Sequence, residues 1–118
     1  MSNQEQVMIE NERLLNKAFH VKRDVIKFSQ HETFDHFLAK CLLCWEFKQL
    51  SQSFVTESIF ANGKRADVFN LSNGTAYEVV KSESNESIER KRKEYPVPLI
   101  ALRAERILKH WKNKGVLL

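Results

Sequence analysis

The chain has 118 residues, 42% of them hydrophobic and 29% charged, with three Gly and two Pro. This is the composition of one small globular domain, and it excludes a disordered or fibrous chain. No apolar run approaches the roughly 20 residues needed to cross a bilayer, and the polar opening Ser2-Asn3-Gln4-Glu5-Gln6 does not read as a secretory signal. A cytoplasmic protein without a membrane partner is expected, acting in its own cell or, for a viral or mobile-element protein, in the host. The net charge is +4, and it is unevenly spread. Residues 81–118 carry ten Lys/Arg against five Asp/Glu, whereas residues 1–80 carry nine against ten. A basic C-terminal third points to a polyanion partner.

In chain order, residues 4–18 suit a helix with Val7, Leu14, Leu15 and Ala18 along one side. Residues 1–30 read as an N-terminal arm or helix, and 31–118 as an α/β domain. Phe34, Phe37, Leu38, Cys41, Leu42 and Trp45 recur at helical spacing, which predicts a helix over 31–49 with these residues as its apolar face. Glu32, His36 and Lys40 are four apart and form another stripe of it. Cys41 and Cys44 lie on the same helix without a second Cys pair, so they read as buried structural thiols and not a zinc site.

Three strands follow, at 53–60, 64–71 and 75–81, separated by Asn62-Gly63 and Asn73-Gly74. Both dipeptides are signals for two-residue hairpin loops, so a three-stranded meander is expected. A polar helix over 85–94 starts near Asn85, Pro96 ends it, and 97–102 suits a buried strand. Residues 104–114 form a basic helix, with Ile107, Leu108 and Trp111 inward and Arg106, Lys109 and His110 outward.

A two-residue loop at Asn73-Gly74 sets Phe69 opposite Glu78 and Asp67 opposite Val80. Asp67 and Glu78 are then diagonal neighbours on one sheet face, roughly 7–8 Å apart at the backbone. Two carboxylates at that spacing can share a divalent cation, and Mg²⁺ characteristically takes one or two carboxylates plus water and phosphate. By the same count Glu57 pairs with Val68 and faces away from Asp67, as a surface or secondary acid. Isolated strand acids are commonly just solvated, but Phe69, Ala76 and Val80 on this face suggest that it is covered. Tyr77 and Trp45 read as core residues.

These segments, Arg65-Ala66-Asp67-Val68 and Tyr77-Glu78-Val79-Val80-Lys81, together with Glu32 on the preceding helix, resemble the PD-(D/E)xK nuclease superfamily. From His31 to Arg103 the chain is similar to its small competence-type and resolvase-like branches. The resemblance implies a restriction-endonuclease-like core, a mixed sheet with a three-stranded antiparallel meander flanked by helices. It also implies Mg²⁺ or Mn²⁺ held by Asp67 and Glu78, with Glu32 completing the shell, and hydrolysis of phosphodiester bonds in nucleic acid, DNA first. One departure stands out. The family's lysine falls two residues after the second acid, where this chain has Val80. Lys81 would need a β-bulge to reach the site, Lys40 on the helix would need none, and a third option is a domain that has lost catalysis. Arg90, Lys91, Arg92, Lys93, Arg106 and Lys109 are the expected phosphate contacts. Cutting two strands needs two sites, so a homodimer is expected, with residues 1–18 as its interface. A nuclease-fold protein that only binds nucleic acid, and a protein-interaction adaptor, are the alternatives.

Overall fold

The structure is a computed structural model that describes residues 2–19 and 21–115. Helices α1 (Asn3–Glu12) and α2 (Phe34–Gln49) precede strands β1 (Phe54–Ile59), β2 (Arg65–Asn70) and β3 (Thr75–Val80). Helix α3 (Asn85–Glu94), strand β4 (Leu99–Arg103) and helix α4 (Ala104–Asn113) complete the order. The fold is α/β. Its sheet has four strands in the order β1-β2-β3-β4, because the meander gains β4, which runs parallel to β3. Among the described residues no helix is long and apolar enough to cross a membrane.

Local chemistry explains the boundaries. Ser2, Thr33 and Ser84 each accept a hydrogen bond from the backbone N–H three residues on, capping α1, α2 and α3. The α2 cap falls at Thr33, so Glu32 sits just outside the helix instead of on it. Helix α1 stops at Glu12, short of the expected 18, and Leu15 instead forms an isolated bridge with Phe60. The N-terminal segment is built into the core: Met8 and Leu15 pack with Phe60, Phe69, Ala76 and Leu99 against one face of the sheet. The other face meets α2 and α4, through Leu43, Cys44, Phe47, Val68 and Tyr77, and through Ala39, Val79 and Ala104.

Helix α2 is rotated from its expected setting. Its buried face is Ala39, Lys40, Leu42, Leu43, Cys44 and Phe47, while Phe34 is 76% and Trp45 48% exposed. The periodicity was compatible with either face, because apolar residues cover most of the helix. A lysine at the centre of the buried face is what sequence periodicity could not offer. Cys44 is buried and Cys41 half-buried; both thiols are free, and burial pushes Cys44 up to about 12.

Both hairpins have longer loops than expected. Phe60 N–H bonds Lys64 C=O across a three-residue loop with Gly63 at φ +88°. Asn70 pairs with Thr75 across four residues, Leu71 to Gly74. There the Asn70 side chain accepts from the N–H of Ser72 and of Asn73, and Gly74 at φ +73° closes the turn. The second hairpin is therefore shifted by two residues, Val68 pairs with Tyr77, and the next residues along the two strands are Asp67 and Glu78.

Candidate active site

The site is built where two ladders fail. β1 and β2 keep one register from Phe54↔Asn70 to Ile59↔Arg65, yet Glu57 and Asp67 drop out of it. Glu57 has a left-handed backbone, φ +49°, a conformation that costs a side-chain-bearing residue about 1–3 kcal/mol. The twist undoes the alternation of faces: Ala66 and Phe69 belong to one core cluster and Val68 to the other. Beyond Val68↔Tyr77 no β2–β3 pair remains, and the Val79 N–H is taken by the Asp67 carboxylate at 2.7 Å. Asp67 thus replaces a lost ladder bond with its own side chain.

The distortion turns Asp67 toward α2. Its Oδ2 lies 3.2 Å from His36 Nε2, and His36 Nδ1 meets Glu32 Oε2. Glu32 also accepts from Ser29 N–H at 3.1 Å and from Lys40 Nζ at 3.0 Å. Lys40 is fully buried, donates to the Lys27 carbonyl at 2.6 Å and reaches Glu57 Oε2 at 3.5 Å. Glu57, read as a surface or secondary acid facing away, is a buried member of this network, with its side chain 8% exposed. The three-residue first loop moved its partner from Val68 to the Asp67 position. Glu32, His36, Lys40, Glu57 and Asp67 therefore form one continuous chain of charges.

The charges balance through protonation. The Asp67 hydrogen bond raises His36 to about 9, against the opposing effect of burial, with Glu32 adding to the rise. At neutral pH His36 is an imidazolium bridging two carboxylates. Burial pushes Glu32 up, but bonds from Lys40, Ser29 and His36 outweigh it and hold its pKa low. Glu57 is raised by burial, with Lys40 only partly offsetting.

Glu78 belongs to a second network. Its Oε1 lies 2.7 Å from the Tyr95 hydroxyl, which also contacts the Arg65 carbonyl. Tyr95 packs on Phe60, on the α1 side of the sheet. Asp67 and Glu78 are thus neighbours at the strand split but engage partners from opposite layers, not the single shared point that alternation predicted. Burial first, and the charge of Asp67 second, lift Glu78 to about 7. The Tyr95 hydroxyl donates to Glu78 and opposes that rise without cancelling it. No family model, curated protein or solved structure matches this chain. What the site can do rests on its own chemistry.

A cavity of about 540 Å³ opens onto this region, lined among others by Glu32, His36, Asp67, Val80 and Lys81. Lys81 reaches it without a bulge. β3 pairs with β4 unbroken from Ala76 to Val80, and the strand simply ends there, freeing the next residue from alternation. Lys40 does not line the cavity; its charge is spent inside the protein. Of the basic residues, Lys91 is tied to Glu83 at 2.8 Å and Arg92 to Glu89 at 3.4 Å. Arg90, Lys93, Arg106 and Lys109 are exposed and without ion pairs among the described residues. Arg92, Arg103 and Arg106 share a further cavity of about 420 Å³. Tyr95, Glu83 and Arg103 escaped the sequence reading; Tyr95 had no signal beyond its place before Pro96.

Among the described residues no group of three or more His, Cys, Asp or Glu side chains is arranged to hold a metal. Mg²⁺ asks for less, since two carboxylates suffice with water completing its shell. Asp67 is turned to His36 and Glu78 to Tyr95, so the two would share an ion only if one carboxylate left its present partner.

Proposed function

We propose that this chain is a divalent-metal-dependent nuclease of the restriction-endonuclease-like kind, cleaving phosphodiester bonds in DNA. The observation that carries the reading is Asp67, which neighbours Glu78 at the split between β2 and β3 and lines a cavity that Lys81 also lines. Helix, antiparallel meander, helix and parallel fourth strand match the order expected of that core. Asp67 and Glu78 would hold Mg²⁺ or Mn²⁺, which supplies Lewis acidity and an activated water. Glu32, with both oxygens committed to Lys40, His36 and Ser29, orients His36 against Asp67. Lys81 offers a cation to charge developing on the phosphate. Arg106 and Lys109 on α4 hold the backbone, and a duplex cut on both strands takes two copies of the chain.

A binding-only protein on the same fold is favoured by one observation: His36, an imidazolium at neutral pH, already neutralises Asp67. Cleavage decides between the two. Labelled single-stranded and duplex DNA incubated with Mg²⁺ or Mn²⁺ should be cut, and chelation should stop it. Asp67→Asn, Glu78→Gln and Lys81→Ala should each lower the rate on the order of a hundredfold or more. Binding without cleavage in either metal would establish the binding-only protein.

A further inference from the structure

A second cavity, of about 280 Å³, lies on the far side of the 27–30 segment, beside edge strand β1. It is separate from the Asp67 cavity, though Ser29 lines both. Three cations border it, Lys22, Lys27 and Arg65, all exposed and without ion pairs among the described residues. The acid beside them, Glu57, has its carboxylate turned inward to Lys40. Ser58, 5% exposed, also lines the cavity, and its Oγ is buried with no hydrogen-bond partner. At the rim Phe28 stacks on Phe37, rings 4.2 Å apart and nearly parallel, yet remains 77% exposed. One aromatic face is fixed by the stack and the other is open.

We propose that this cavity docks one nucleotide of a single-stranded nucleic acid, its phosphate on Lys22, Lys27 and Arg65, and its base against Phe28. Unpaired cations beside an exposed aromatic ring are the combination that single strands need, backbone charge neutralised and a base stacked. A base in a duplex is already stacked and has no face to offer. The docked nucleotide lies one segment away from Asp67, with Ser29 between, so the strand continues into the proposed active site. The inference rests on the nucleic-acid part of the reading above and on none of its catalytic residues.

The test is anisotropy with a fluorescein-labelled single-stranded 12-mer and the matching duplex, in chelator so that nothing is cut. Phe28→Ala should weaken single-strand binding roughly tenfold and leave its salt dependence unchanged. Lys27→Gln and Arg65→Gln should each flatten the plot of log affinity against log salt by about 0.7. Duplex binding should change little in Phe28→Ala. Single-strand binding unaltered in all three variants, or equal losses on duplex and single strand in Phe28→Ala, would overturn the proposal. So would a free mononucleotide competing as well as the strand, which would make the cavity a small-molecule site. Cleavage that persists with unaltered binding in these variants removes this inference alone; binding through Phe28 and Arg65 in a wild type that cuts nothing removes the nuclease alone.

Discussion

The two outer ladders of the sheet are built on opposite terms. β3 and β4 pair over five consecutive residues, Ala76 to Val80, with Val79 and Leu99 buried and no distortion. β1 and β2 interrupt their ladder at the centre, hold Glu57 in a strained backbone, and bury a lysine between carboxylates beneath it. The regular ladder carries Glu78 and, just past its end, Lys81, on an unstrained backbone. The broken one turns Asp67 toward α2, where it meets His36, and holds Glu57 against Lys40. Strain and buried charge sit together because a regular strand alternates its side chains, and only a distortion lets Asp67 and Val68 both face α2.

The contrast breaks most sharply at Lys40. Lys40→Met keeps the volume and removes the charge, leaving Glu57 without its cation and Glu32 with His36 alone; a loss of about 3–5 kcal/mol is expected in urea unfolding. On the regular side, Leu99→Ala should cost about 2–5 kcal/mol through an unfilled cavity. That cost should be the same at pH 5 and pH 8, since no titrating group is touched.

Proton linkage sharpens the comparison further. Glu78 stands at about 7 against its ordinary 4.5, so its contribution to folding is full below about 4.5 and is lost as pH rises through 7. His36, raised from 6.5 to about 9, contributes fully below 6.5 and loses that contribution as pH rises through 9. Stability should therefore fall from pH 5 to pH 9, on the order of 2–3 kcal/mol for either group. Thermal melts should show the lower part of that slope vanish in Glu78→Gln and the upper part in His36→Gln. Any divalent cation held by Asp67 and Glu78 should bind more tightly as pH rises over the same range. The smallest effect is local: Thr33→Ala removes the cap of the helix that carries His36 and should cost about 1 kcal/mol.

By itself the sequence determined the elements and their order. Periodicity placed the second helix and four strands to within about three residues, and Asn-Gly pairs marked both turns. It also singled out Glu32, His36, Lys40, Asp67 and Glu78, because acids and a spaced helical stripe are visible as letters. Tertiary structure decided what those letters do. Loop length shifted the second hairpin by two residues, since the Asn70 side chain stabilises a longer turn than Asn73-Gly74 alone suggests. Helix α2 turned Lys40 inward because Glu32 and Glu57 await it there, a choice that hydrophobic periodicity cannot express. The separation of Asp67 from the face of Glu78 depends on a single left-handed residue, Glu57, in a neighbouring strand. No local signal marks that residue, because its strain is repaid only by contacts made once the chain has folded.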